Sequence, residues 1–336
     1  PGIIPLITVN NKNSTSFLEV NWTDPPGVFD SYIVSLSGSM NRTISAQPIS
    51  KQVNVTGLLP GREFSITIQT NSGTCSQISG PVSEATYPTP PGDINITNTG
   101  TNSVSLSWGD PRDMSNATKT FNVTYSNSTS VSPWTQSSST LDVTLHGLQS
   151  GTQYTITVIT IGARNYPSSP VTTTKYTKPF PVGTITLLTK TSTSVNLTWS
   201  KPSEYKIYYT YRVLVNTTPP TEIITPSESA SIDNLTSGQT FTFTVITRAD
   251  SITESDHMSF TDCTYPGIIP LITVNNKNST SFLEVNWTDP PGVFDSYIVS
   301  LSGSMNRTIS AQPISKQVNV TGLLPGREFS ITIQTN

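Results

Sequence analysis

Apolar and polar residues alternate in short runs along the whole chain. In residues 17–23, Leu18, Val20 and Trp22 point one way while Glu19, Asn21 and Thr23 point the other. The same alternation returns at 104–108, ending on Trp108, and at 195–199, ending on Trp199. A two-residue period marks half-buried β-strands. Each run is followed by a turn (Asp24-Pro25, Asp110-Pro111, Lys201-Pro202) and then by a strand with an aromatic residue: Tyr32-Ile33-Val34, Phe121-Asn122-Val123 and Tyr211-Arg212-Val213. No segment sustains a 3.6-residue period with caps, so the pattern predicts almost no helix.

The pattern also repeats on larger scales. Residues 1–71 and 266–336 are identical, Pro1 recurring as Pro266 at an offset of 265 residues. Three weaker matches lie within that period: Leu58 to Ile68, Leu148 to Val158 and Leu235 to Val245. Each has a Leu, a turn with Gly, an aromatic (Phe64, Tyr154, Phe241), then alternating apolar residues. Such periodicity predicts modules. We read them as domain A (1–88), B (89–178), C (179–265) and a second, shorter copy of A (266–336), here called A′. The identity of the two copies has two readings, an engineered duplication or a natural tandem array, and the second fits better because residue 336 falls inside a domain. On that reading the polypeptide continues, and A′ lacks its last strand.

About seven short strands per domain, with regular turn signals, predict an all-β chain of seven-stranded Greek-key sandwiches. Trp22, Trp108, Trp199 and Trp287 would plug the cores between the two sheets. These tryptophans, the Tyr-x-Val strand and the Leu-x-x-Gly-x-x-Tyr/Phe turn resemble fibronectin type III domains over essentially the whole chain. The resemblance implies an immunoglobulin-like sandwich and places Phe64, Tyr154 and Phe241 at the family's tyrosine-corner position. Phe64 and Phe241 depart from it, because they lack the hydroxyl that makes the corner hydrogen bond. The glycine-poor, sequon-rich style also resembles the ectodomains of receptor-type tyrosine phosphatases.

Pro-bearing segments join the domains: Tyr87-Pro88-Thr89-Pro90-Pro91, Thr177-Lys178-Pro179-Phe180-Pro181 and Thr264-Tyr265-Pro266. Proline restricts φ, so these linkers predict a semi-rigid rod. With strands of roughly nine residues at about 3.3 Å each, a domain adds on the order of 30 Å and a three-domain repeat roughly 100 Å.

Composition narrows the chemistry. Charged residues are 12% of the chain and the net charge is −3, against roughly 25% charged in an average soluble domain. Ser and Thr fill the gap. No Lys/Arg cluster suggests nucleic acid as a partner, and no apolar run approaches the roughly 20 residues of a membrane span. No signal peptide opens the chain, so either processing has removed one or the sequence is a window on something longer.

Asn-x-Ser/Thr acceptors for N-linked glycans occur at Asn13, Asn21, Asn41, Asn54, Asn95, Asn116, Asn122, Asn127, Asn196, Asn216 and Asn234, and again at Asn278, Asn286, Asn306 and Asn319. Asn21 and Asn196 lie on strand faces opposite a core Trp, where a glycan has room. Glycans would hydrate a charge-poor surface, and they imply the secretory pathway and an extracellular location.

The only cysteines are Cys75 and Cys263. Two domains separate them, whereas a disulfide needs Cα atoms within about 7 Å. Cys75 is placed in the connection between strands six and seven, at the pole where its domain begins. Cys263 is placed just before the next A domain. The strand trace therefore suggests an inter-repeat disulfide, Cys263 pairing with the Cys75 equivalent of the following repeat. Free thiols and intermolecular pairing are the alternatives.

Catalysis finds no foothold. His146 and His257 stand alone, and there is no nucleophile elbow, phosphate loop or metal-ligand spacing. No cofactor is expected. Gly61-Arg62-Glu63 reads as a structural turn. Trp134, in a Ser/Thr-rich hairpin, is either an exposed anchor or packed on a neighbouring domain. The reading is a non-enzymatic structural or adhesive extracellular glycoprotein, rod or filament, whose partners are other protein chains or further copies of itself. The alternative is a ligand-binding receptor ectodomain, and a carbohydrate-binding module lacks an aromatic platform.

Overall fold

The computed structural model describes residues 1–38, 42–47, 49–303, 307–311, 314 and 316–335. Two compact units, Pro1–Lys178 and Pro179–Asn336, hold two sandwiches each and are described separately.

In the first unit, domain A comprises β1 (Ile7–Asn10), β2 (Phe17–Trp22), β3 (Ser31–Gly38), β4 (Arg42–Ala46), β5 (Gln52–Thr56), β6 (Glu63–Ser72) and β7 (Cys75–Ala85). One antiparallel sheet runs β1-β2-β5 and the other β4-β3-β6-β7. Domain B repeats the plan with β8 (Ile94–Thr99), β9 (Ser103–Trp108), β10 (Thr120–Ser126), β11 (Trp134–Ser138), β12 (Asp142–His146), β13 (Gln153–Ile161) and β14 (Val171–Tyr176). Its sheets are β12-β9-β8 and β11-β10-β13-β14. The described helix in the chain is a single 3-10 turn, Ala163–Asn165.

In the second unit, domain C has β15 (Ile185–Lys190), β16 (Val195–Trp199), β17 (Thr210–Val215), β18 (Thr221–Thr225), β19 (Ser229–Ile232), β20 (Thr240–Arg248) and β21 (Met258–Cys263). A′ has β22 (Ile272–Asn275), β23 (Phe282–Trp287), β24 (Tyr297–Gly303), β25 (Arg307–Ala311), β26 (Gln317–Thr321) and β27 (Phe329–Thr335). Domain C again pairs three strands with four, while A′ pairs β22-β23-β26 with the three strands β25-β24-β27. The chain is thus all-β, built from antiparallel two-sheet sandwiches.

The alternation dictates the packing. In β2 the inward residues Leu18, Val20 and Trp22 are buried and the intervening residues are half-buried. Every second-strand Trp meets an aromatic of the third strand edge-on. Trp22–Tyr32 centroids are 5.2 Å apart, Trp108–Phe121 5.2 Å, Trp199–Tyr211 5.4 Å and Trp287–Tyr297 5.1 Å. That geometry places a positive ring edge on a negative face.

The tyrosine-corner hydrogen bond exists in domain B, where the Tyr154 hydroxyl accepts from the Gln149 N–H at 3.0 Å. Phe64 and Phe241 fill the same corner without a hydroxyl, and both are buried. A second device pins the turn in all three complete domains. The buried hydroxyls of Thr86, Thr177 and Thr264 donate to the carbonyls of Leu59, Gln149 and Thr236, at 2.8, 2.6 and 2.6 Å. Each also accepts a backbone N–H from across the turn, of Arg62, Thr152 or Gln239. In these three domains the end of the last strand is thereby tied to the turn that precedes the sixth strand.

Candidate functional site

The best-defined polar assembly lies where A meets B. The turn before β6 needs Gly61 at φ +66°, a conformation that costs glycine little. A Cβ there would collide with Met114 and press on Pro88. Met114 sits in the loop between β9 and β10 and is wholly buried. A loop side chain so enclosed signals a docked surface. Lys119 Nζ donates to the Met114 carbonyl at 2.8 Å and pairs with Asp110 at 3.0 Å, which fixes the loop.

The loop between β13 and β14 supplies the other half. Ala163 N–H donates to the Gly61 carbonyl at 3.2 Å. Arg164 Nη1 donates to Glu63 Oε1 at 3.1 Å and to the Ser83 carbonyl at 3.3 Å. Its Nε lies 3.7 Å from Glu84 Oε1. The Tyr166 hydroxyl donates to that same oxygen at 2.8 Å, and the Tyr166 ring stacks on Tyr87 at 4.7 Å and 9°. Arg62 Nη1 donates to the Asn116 carbonyl at 3.2 Å. The hydrogen bond to Glu84 raises the Tyr166 phenol above its ordinary value. Bonding to Glu63 likewise holds the Arg164 guanidinium in its charged form.

The C–A′ joint uses the same seat with other residues. Val293 N–H donates to the Ser237 carbonyl at 2.8 Å, and Gly292 packs directly on Ser237. At the neighbouring strand end, Lys190 pairs with Asp262 at 2.9 Å and lies over the Tyr265 ring.

The glycan acceptors are spread over both sheets. Asn13, Asn54, Asn95, Asn116, Asn216, Asn234, Asn278 and Asn319 are exposed, while Asn21, Asn122, Asn127, Asn196 and Asn286 are half-buried. Asn41 and Asn306 lie outside the described residues. Asn21 Nδ2 donates to Glu19 at 3.4 Å and Asn196 Nδ2 to Thr189 at 2.7 Å, both on outward strand faces. Asn127 Oδ1 accepts from Thr129 Oγ1 at 3.0 Å, within its own acceptor motif.

Both cysteines are exposed thiols. Cys75 is the first residue of β7, whereas the sequence placed it in the connection; pairing of Ser72 with Cys75 extends the ladder and shortens that connection to two residues. Cys263 ends β21. Trp134 is 46% exposed and stacks on Tyr125 of its own domain at 5.5 Å. His146 ends β12 and is exposed, as is His257. Among the described residues no group of three or more His, Cys, Asp or Glu could hold a metal, and no helix is long and apolar enough to cross a membrane.

The sequence did not reveal Arg164, Tyr166, Met114 or the three threonines as parts of one scheme. A signal for the threonines was present in Thr86-Tyr87-Pro88, Thr177-Lys178-Pro179 and Thr264-Tyr265-Pro266, a Thr at one position in each linker. Arg164 and Tyr166 carried no such signal, because each occurs once.

Four two-sheet sandwiches with a core Trp, three of them with a pinned turn, define a class, and a profile of the Fibronectin type III domain matches residues 4–85, 89–175, 180–261 and 268–336. The chain belongs to that family, as a tandem array. It is 25% identical over 323 residues to Receptor-type tyrosine-protein phosphatase eta of Gallus gallus, covering 94% of this chain and 23% of the relative. It is 24% identical over 348 residues to Receptor-type tyrosine-protein phosphatase H of Homo sapiens, covering 98% and 30%. Against Tenascin-R of Homo sapiens it is 23% identical over 353 residues, covering 98% and 24%. The chain therefore spans less than a third of the length of these relatives. A solved two-domain segment of chicken tenascin aligns over 51% of this chain and 98% of its own, at 20% identity and a TM-score of 0.41.

Proposed function

We propose that this chain is part of a non-enzymatic extracellular glycoprotein whose tandem domains serve a structural or adhesive role, as a semi-rigid array with a three-domain repeat. The observation that carries this reading is the identity of residues 1–71 and 266–336. Selection for a diversified ligand surface would separate the two copies, whereas a spacer of fixed geometry keeps them alike. The bonded A–B joint supports it, since a joint with stacking and ion pairs resists bending. The acceptor asparagines support passage through the secretory pathway, with N-linked glycans on strand faces and loops. Exposure of Cys75 and Cys263 suits a disulfide between repeats in an oxidising compartment. Partners on this reading are other protein chains or further copies of the same array.

A second reading, a receptor ectodomain, is favoured by the similarity to two receptor-type phosphatases. Peptide mapping of the natural parent protein after enzymatic removal of N-glycans separates the two. The array reading expects peptides from this repeat and close variants, with deamidated asparagine at the acceptor sites. Stoichiometric peptides from a transmembrane flank or a phosphatase domain would instead make this chain a receptor stalk.

A further inference from the structure

The A–B joint is selective as well as bonded. The three complete domains place different residues at the positions B grips in A. Strand register makes Glu84 opposite Phe64 equivalent to Lys175 opposite Tyr154 and to Asp262 opposite Phe241. Glu63, Gln153 and Thr240 open the preceding strands β6, β13 and β20. The turn glycines Gly61, Gly151 and Gly238 donate to the carbonyls of Tyr87, Lys178 and Tyr265, which aligns those three. The end of A thus presents Glu, Glu, Tyr; the end of B presents Gln, Lys, Lys; the end of C presents Thr, Asp, Tyr.

We infer that Arg164 and Tyr166 of domain B form a reader of domain order, matched to the end of an A-type domain and mismatched to the end of a B-type domain. On A, Arg164 meets two carboxylates, and Tyr166 finds both an acceptor and a ring to stack on. On a B-type end, Arg164 faces Gln and Lys, and Tyr166 faces Lys in place of acceptor and ring. Opposed cations disfavour that pairing without any change in the sandwich itself. On a C-type end the ring is present, but Asp262 is already held by Lys190. The loop carries backbone strain to do this, because Arg164 and Asn165 are non-glycine residues at φ +56° and +59°. Strain of that kind is retained where surrounding contacts demand it. The inference stands under either reading of the whole protein's function.

The test uses the full chain with Cys263→Ser and Thr97→Cys, so that spin labels on Cys75 and residue 97 report the A–B separation. The unaltered joint gives one narrow distance distribution. Arg164→Glu and Tyr166→Ala each broaden it, and adding Glu63→Arg to Arg164→Glu narrows it again, while tryptophan fluorescence stays that of folded domains. Replacing the A-type end by Glu63→Gln, Glu84→Lys and Tyr87→Lys together abolishes the narrow peak. A narrow distribution that survives both single changes overturns the inference, and so does broadening that Glu63→Arg fails to reverse.

Discussion

Domains A and A′ share every residue of a 71-residue segment, yet their cores differ. In A, Leu18, Phe64 and Ile66 are fully buried. Their counterparts Leu283, Phe329 and Ile331 are only partly so. Val9 packs against the core of A, whereas Val274 is 47% exposed. The difference is β7. In A it pairs with β6 through nine residue pairs, and it reaches the segment before β1, where the Ile4 N–H donates to Ser79 Oγ at 2.7 Å. In A′ that side of the sandwich is a groove of about 650 Å³ lined by Ile272, Leu283, Leu323, Phe329 and Ile331. The strands, their registers and the Trp–Tyr contact are nonetheless reproduced. Local alternation sets the strands; the last strand closes the core.

The sharpest way to break this comparison is to remove the tryptophans. Trp22→Ala should destabilise A by about 3–5 kcal/mol, read as a fall in the urea midpoint of that domain. Trp287→Ala should unfold A′ outright, since that core is already open. Equal losses in the two copies would show that β7 adds little. Next, a chain extended at its end with the sequence of residues 72–85 should bury the groove. Hydrogen exchange at β22 and β27 should then slow to the rates of β1 and β6, and unchanged exchange would sever the link between β7 and core closure. A smaller effect belongs to the turn. Thr86→Val leaves two backbone groups without their partner and should cost A about 1–3 kcal/mol, whereas Tyr154→Phe in B should cost about 0.5–1.5 kcal/mol, because Thr177 remains.

The smallest effect is on pH, and it should be the same in both copies. The hydrogen bond from Lys12 is the largest influence on Glu19 and lowers its pKa, burial opposing it; Lys277 acts likewise on Glu284. A depressed carboxylate pKa stabilises the fold above the ordinary carboxylate range, and that contribution is lost as pH falls through the folded value. Carbon-detected titration should show both glutamates below 4.5, the reference value. A difference between them would mean that β7 acts on this exposed face as well.

The repeats, the strands and the family were legible because they rest on local rules: a two-residue period, a turn glycine, a Trp at a fixed place. The tyrosine-corner departure at Phe64 and Phe241 was also readable, but the threonine pin at Thr86, Thr177 and Thr264, present with or without the corner hydroxyl, was not. A threonine among so many looks like filler until the strand brings it back to the turn. Trp134 was ambiguous for a similar reason, since its partner Tyr125 is reached only once β10 and β11 pair. The A–B clamp was least legible. Its groups are brought together from Glu63, Glu84 and Arg164, and no one-dimensional period connects residues at those separations.

The positive-φ glycine that opens each seat recurs at Gly61, Gly151, Gly238 and Gly326, and this bears on how such a gene can grow. Recombination between misaligned copies that adds or deletes 265 codons leaves every seam joining the same two kinds of domain as before. An event of one domain's length leaves the seats intact but can set Lys175 and Lys178 of one B domain against Arg164 of another. On the proposed array reading, copy number drifts in threes, because single-domain changes are penalised at the seam.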